Sequence, residues 1–371
     1  MKVPVLKFNS KKENEVSDKA FFTELKSRVN QYFVDNNKTR YANSSMKIKT
    51  VFMICLTFIP FILMLLGTVT STPLVMLMWT LMGFGTAGIG LSIMHDANHG
   101  SYSKNDTVNS LLGYMFDLIG SYHINWKIQH NVLHHTFTNI SGYDEDIETR
   151  VMRLAPSQKR KFIHKYQMYY APFFYAIMTI YWLVSKDFEQ VVRYNKKNLL
   201  KTQGVTFSTA LTQIIIIKVL YFFTMIALPI LITTISPLVV ILGFILMHFI
   251  VGLTLSFIFQ SAHVLQETEF YEPNKDDSIE NNWAIHQLET TANFSDKSRL
   301  FSWLIGGLNY QVEHHLFPNI CHIHYRALSP IVKETAEEYN IPYHQHRTFY
   351  QALKSHFNLL NDLGTGQFDK N

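Results

Sequence analysis

Cysteine and charge are both scarce in this chain of 371 residues. Only Cys55 and Cys321 are present, and neither has a neighbouring cysteine. That excludes a thiolate zinc site, an iron–sulfur cluster and a disulfide framework. Charged residues make up 16% of the chain against 47% apolar, so long stretches carry no charge at all. A secretory signal is not expected, because the N-terminal segment stays polar as far as Lys49. Internal repeats, lipidation motifs and low-complexity tracts are absent too, and so is the Glu-x-x-His motif of soluble di-iron bundles.

The gaps between charges organise the chain. None of the 45 residues between Lys49 and His95 is Asp, Glu, Lys or Arg, and the same is true of the 48 between Lys218 and Glu267. A helix needs roughly 20 apolar residues to cross a bilayer, so each block holds two spans. Turn signals lie near the middle of each, Thr70-Ser71-Thr72-Pro73 and Ser236-Pro237. The expected fold is therefore all-α and integral to the membrane. It has four spans, at about 50–69, 74–95, 212–235 and 238–262, arranged as two hairpins. A further uncharged run, Tyr166 to Ser185, contains five Tyr and Pro172. This composition suits an interfacial helix at about 166–185. A crossing there would also put the histidine clusters before and after it on opposite sides of the membrane.

Lys and Arg set the orientation. The first 50 residues contain 11 of them against 5 Asp and Glu, and residues 96–204 are also rich in them, whereas both hairpin turns have none. The termini and the large polar segments are thus expected in the cytoplasm. The net charge of +5 follows from this topology and carries no nucleic-acid implication. The expected divisions are an N-terminal segment at 1–48, a membrane domain at 49–345 and a cytoplasmic tail at 346–371, loose from Gly364.

Seventeen histidines are present, and their clustering is the chemical signal. HDANHG (His95–Gly100) follows the second span, HNVLHH (His130–His135) lies in the polar segment, and QVEHH (Gln311–His315) follows the fourth span. His263 stands alone at the end of that span. On an α-helix His95/His99 and His130/His134, at i and i+4, share a face. His135 is rotated about 100° from His134, so a doublet can address two ions from one backbone. His314/His315 repeats the doublet, giving the ligand pattern of a two-metal site held in a cytoplasmic helical cap. An imidazole-rich set suits iron, copper or zinc. Carboxylates that would orient the imidazoles are Asp96, Asp144, Asp146 and Glu313. By contrast His123, His164, His286, His344, His346 and His356 read as ordinary polar residues, and His248 as a contact between spans. His322 and His324, in CHIHY, lie close enough to the third cluster to support its ligands from behind.

At HDANHG, HNVLHH and LNYQVEHHLFP the chain resembles the membrane fatty acid desaturase family, from about residue 45 to 345. The stretches LETTANF (Leu288–Phe294), SPIVKE and NIPYH share in the likeness. Gln311, at the head of the third box, resembles the front-end subgroup, which inserts a double bond between an existing one and the carboxyl end. The bacterial proteins of linoleoyl-CoA or delta-6 type are the nearest likeness. The resemblance implies two non-haem iron ions held by His95, His99, His130, His134, His135, His263, His314 and His315, with O2 as co-substrate. It also implies an apolar tunnel for an acyl chain carried on CoA, a carrier protein or a lipid, in the bacterial inner membrane. In stearoyl-CoA-type members an Asn four residues before the lone His reaches the site through water; here Phe259 holds that position with Gln260 beside it. Front-end members often carry a fused cytochrome b5-type domain. No His precedes His95, so electrons are expected from a separate ferredoxin or b5-type cytochrome with its reductase.

The residues alone leave rivals open. A hydroxylase, ketolase or acetylenase would use the same scaffold, since the site constrains the oxidant more than the outcome. A membrane metal carrier would place its ligands near the bilayer midplane, unlike these clusters. A zinc-dependent membrane hydrolase would bind zinc alone.

Overall fold

A computed structural model of the chain describes residues 6–10 and 15–370. Four helices are long and apolar enough to cross a membrane: Ser44–Leu65, Thr72–Asn98, Phe207–Ile232 and Pro237–His263. All four correspond to the spans expected from the charge gaps, starting between one and six residues earlier. Their starts have local causes. Asn43 caps the first by accepting the Met46 N–H at 3.1 Å, and Thr206 caps the third by accepting that of Thr209 at 3.2 Å. Proline opens the other two, at Pro73 in the first turn and at Pro237, where its fixed φ suits a helix and its missing N–H has no partner to lose.

The chain packs as two units, and the first comprises Asn43–Ile128 and Pro172–Phe257. Its core gathers Phe61, Met64, Trp79, Met82, Tyr221, Met225, Phe244 and Met247. Small residues allow this contact. A Cβ on Gly243 would lie 2.0 Å from the Trp79 ring, and one on Gly85 would lie 2.5 Å from Thr57 Oγ1. The opposite helix faces expose apolar side chains such as Val51, Ile62, Leu66, Val219, Leu231 and Leu238, as a lipid-facing surface requires. Lys218, buried on the third span, is satisfied: its ammonium reaches Asp187 at 2.5 Å and donates to the Gly120 and Trp182 carbonyls. Asp187 also accepts from the Tyr122 N–H and from Trp182 Nε1, both at 3.1 Å. His248, mid-span, places Nε2 3.0 Å from the Tyr221 hydroxyl and Nδ1 3.1 Å from Thr179, a contact between helices as expected.

The second unit comprises Lys2–Ala42, Gln129–Ala171 and Ile258–Asn371. The helix Glu15–Asp35 lays Phe21, Leu25 and Val29 against Tyr325, Leu328, Val332 and Ala336, and Arg28 pairs with Glu338 at 2.6 Å. Short parallel strand pairs qualify the all-α expectation: Lys7–Phe8 with Ser278–Ile279, and Ala292–Phe294 with His344–His346. The second pair crosses the boundary expected at residue 345.

The C-terminal tail is the main departure from expectation. It forms the helix Phe349–Thr365, opened by a Thr348/Gln351 capping box and closed by Gly366 at φ 85°. Arg153 donates to the Leu363 carbonyl and pairs with Asp369 at 2.8 Å, so this end is held rather than loose up to residue 370. These partners lie about two hundred residues away in sequence, and no local pattern signals them. The expected interfacial helix begins with a 3-10 turn at Phe162–Tyr166, runs as α-helix over Gln167–Tyr181 and continues to Lys196. Tyr169 and Phe173 on it are exposed, at 75% and 58%.

Candidate metal centre

Six of the eight histidines singled out from the sequence belong to the second unit: His130, His134, His135, His263, His314 and His315. The stretch that carries the second cluster is not the α-helix assumed from its spacing. Lys127–His134 winds as a π-helix, followed by a short α-turn at His135–Phe137. With i→i+5 hydrogen bonding the turn is wider, and residue i+5 returns above residue i. His135 accordingly comes back to His130, their Nε2 atoms 3.2 Å apart. The third cluster lies on the six-residue helix Gln311–Leu316, and His263 is the last residue of the fourth span.

The imidazoles form two sets, and each doublet is divided between them. His135 Nε2 lies 3.2 Å from His130 Nε2 and 3.0 Å from His314 Nε2. In the other set, ligand nitrogens of His134, His263 and His315 fall within 4.8 Å of one another. All six side chains are buried. A second grouping that could hold a cation combines His130, His134 and Asp146.

Hydrogen bonds on the far side of the rings fix which nitrogen faces inward. His134 Nδ1 lies 3.1 Å from Asp144, His263 Nδ1 3.2 Å from the Thr290 carbonyl, and His315 Nδ1 2.8 Å from Gln287 Oε1. Each of these acceptors calls for an Nδ1–H donor, so Nε2 keeps its lone pair. His314 Nδ1 meets the Tyr325 hydroxyl at 3.2 Å. Burial opposes charge on His134, but the Asp144 carboxylate outweighs it and raises the imidazole above its ordinary value. Asp144 is held below the usual carboxylate range by His134 and by the N–H groups of Asn139 and Asp146, although burial alone would push it up.

These donors fit a metal. Bonds of about 2.1 Å to imidazole place neighbouring ligand nitrogens about 3.0–3.4 Å apart, the spacing found around His135. Protons cannot satisfy both contacts, because His135 Nε2 has a single in-plane position, N–H or lone pair, and so can serve one of its two neighbours. The Nε2 atom of His134 is buried and makes no hydrogen bond. Such atoms are costly unless something coordinates them.

His95 and His99 belong to the first unit. Their ring centroids are 4.8 Å apart, and each meets the Trp126 ring edge-on, at 5.6 and 5.8 Å. A π-turn at Ile89–Ile93 precedes them. Asp96 stands beside His95, with Oδ1 3.9 Å from its Nδ1.

The carboxylates play different parts. Asp144 binds His134 directly, and Asp146 lies 3.5 Å from the same nitrogen while also accepting from Gln129. Glu313 is fully buried, yet its partners are Asn293 and Tyr343. Burial pushes its carboxyl up to about 7, against those two hydrogen bonds. Gln311 is buried with its side chain toward His263, and Gln260 Oε1 is unpartnered. Phe259 packs edge-on to the His130 ring at 5.8 Å. Sequence reasoning missed Gln287, Thr138 and Tyr325. Gln287 Oε1 accepts from both His315 and Thr138, whose hydroxyl also reaches the His134 carbonyl. The only hint lay in position, since Gln287 immediately precedes the LETTANF stretch.

The histidines read as ordinary have ordinary partners. His123 pairs with Asp117, His286 reaches the Thr138 carbonyl, and His356 the Val264 carbonyl. His164 Nδ1 accepts the Lys161 N–H, and His346 pairs with Glu267. His324, expected behind the third cluster and not among these, meets the Tyr41 carbonyl and the Phe33 ring.

Comparison with known proteins agrees with the histidine pattern. The pattern described as fatty acid desaturase matches residues 71–347. Over 351 residues the chain is 34% identical to an sn-1 linoleoyl-lipid 6-desaturase of Arthrospira platensis, covering 92% of each chain. A protein of the same description from Synechocystis sp. is 33% identical, over 92% of this chain and 94% of that one. An acyl-lipid (8-3)-desaturase of Physcomitrium patens is 35% identical, over 95% of this chain and 74% of that protein.

Proposed function

From the premise that this chain belongs to the fatty acid desaturase family and is a fatty acyl desaturase, we propose that it acts on a lipid-linked, already unsaturated acyl chain. The new double bond forms between the existing one and the carboxyl end. Two iron ions serve as cofactor, with O2 as co-substrate. One ion takes His130, His135 and His314, and the other His134, His263 and His315. His95 and His99 complete the ligand set, an assignment that rests on the family likeness of their box.

The observation that supports this reading most directly is the division of each doublet between two imidazole sets. Bound iron with O2 supplies the oxidising power to take hydrogen from unactivated methylenes, which no side chain has. The protein's part is to keep the ligands in one tautomer and in place. Asp144, Thr290 and Gln287 do this by holding Nδ1 of His134, His263 and His315. The relatives' descriptions as acyl-lipid and linoleoyl-lipid desaturases favour a lipid-linked substrate over a CoA or carrier-protein thioester. Gln311 heads the third box as in front-end members. Electrons come from a separate ferredoxin or b5-type cytochrome. The spans form two hairpins with the termini and the histidine sets on the cytoplasmic side of a bacterial inner membrane.

The test is expression in a host fed defined fatty acids, followed by mass spectrometry of its lipids and of its acyl-CoA pool. Loss of two hydrogens, with the new double bond on the carboxyl side of the old one and appearing first in intact lipids, is expected. Gain of an oxygen would instead make the chain a hydroxylase. Purified protein holding zinc alone would remove the iron assignment.

A further inference from the structure

The helix that presents His314 and His315 has six residues, too few to hold its own conformation. It also begins poorly, because its N-cap residue, Tyr310, provides no side-chain cap for the first N–H groups. Distant segments compensate. The Val312 N–H is accepted at 2.9 Å by Asn293 Oδ1, from the strand Ala292–Phe294. The other end of that amide donates to Glu313 Oε2 at 2.7 Å, and the Tyr343 hydroxyl donates to Glu313 Oε1 at 2.8 Å. The Asn293 Nδ2 also lies 2.7 Å from the Tyr343 oxygen, and Ser329 lies 2.8 Å from it. Chemistry fixes the amide's orientation, since a backbone N–H requires the oxygen. The LETTANF and NIPYH segments, whose roles the sequence left open, thus meet at one buried node.

We propose that Asn293 and Tyr343 are positioning residues for the third histidine box. They clamp both Glu313 oxygens and the Val312 N–H, and so set the pitch and height of the helix from which His314 and His315 reach the two imidazole sets. Neither residue touches the ligands. They act through the backbone that carries them, as outer partners of metal sites do. Glu313 is then the handle by which the box is gripped.

This inference rests on the third box being metal-binding, and iron content of the unsubstituted protein tests that first. Purified full-length Tyr343→Phe and Asn293→Ala would then be compared with it in three ways: iron affinity by chelator competition, visible bands of the cobalt-substituted protein, and the thermal midpoint of the iron-free protein. Tyr343→Phe removes a single oxygen. It should bind iron about 10–100-fold more weakly and shift the cobalt bands, with an iron-free midpoint close to that of the parent. Asn293→Ala should show a larger effect of the same kind. Parent-like affinity and bands in Tyr343→Phe would overturn the proposal. A lowered midpoint with unchanged affinity would do so too, and so would failure of Tyr343→Phe to fold, since either assigns the node to stability alone. An unsubstituted protein without iron would sink the metal reading itself.

Discussion

Replacing Asp144 by Asn tests whether a buried carboxylate holds His134 in register. Asp144 is fully buried and accepts three N–H groups: Asn139 at 2.9 Å and His134 Nδ1 at 3.1 Å on one oxygen, and Asp146 at 3.0 Å on the other. Asparagine has one acceptor oxygen. In its best orientation it keeps Asn139 and His134 but turns an NH2 toward the Asp146 N–H. Leaving that donor unpaired costs about 1–3 kcal/mol, and the His134 bond loses its charge assistance. Relief from burying a negative charge offsets part of this. Metal affinity should fall about 10–100-fold, equivalent to about 1.4–2.8 kcal/mol. The assay is chelator competition on purified protein, with Asp146→Asn alongside. Asp146 is 3.5 Å from the same nitrogen and its side chain is 29% exposed, so its replacement should cost clearly less. Parent-like affinity in Asp144→Asn, or an equal loss in Asp146→Asn, would refute the assignment of Asp144 as the residue that orients His134.

Other outcomes follow from the same geometry. His263→Ala should abolish desaturation and lower bound iron. His248→Ala, which removes hydrogen bonds to Tyr221 and Thr179 and ring packing on Phe244, should keep both while lowering thermal stability. Lys218→Met strands the buried Asp187 carboxylate and should cost about 3–5 kcal/mol, seen as a lowered midpoint in detergent with normal iron content in the protein that folds. Glu267 is held down to about 2 by hydrogen bonds from His346 and Ser355. Its folded value lies below the unfolded value of about 4.3, so its contribution is present above that pH and lost as pH falls toward 2. Glu267→Gln should flatten thermal stability over that acid range and leave it pH-dependent elsewhere.

How much could be read in advance depended on how local the cause was. The spans follow from runs without charge, and a capping side chain or a proline opens each one. The same logic failed for the C-terminal helix, where Arg153 and Gln167 reach across to Leu363 and Leu360. Among carboxylates, sequence proximity put Glu313 on equal terms with Asp144. Glu313 adjoins His314 in sequence but faces Asn293 and Tyr343, while Asp144 reaches His134 from ten residues away.

The sequence by itself determined the spans and the histidine clusters, because bilayer thickness and imidazole chemistry act on each residue wherever it sits. It also limited the metal to one that imidazole binds, through the lack of paired cysteines. Tertiary structure alone decided that the second box winds as a π-helix, which brings His135 back to His130. It alone decided which nitrogens face inward, since the groups that hold the other nitrogens come from Asp144, Gln287 and Thr290. Those choices follow from burial: a polar atom removed from water must find a partner, and only the folded chain sets which one is in reach.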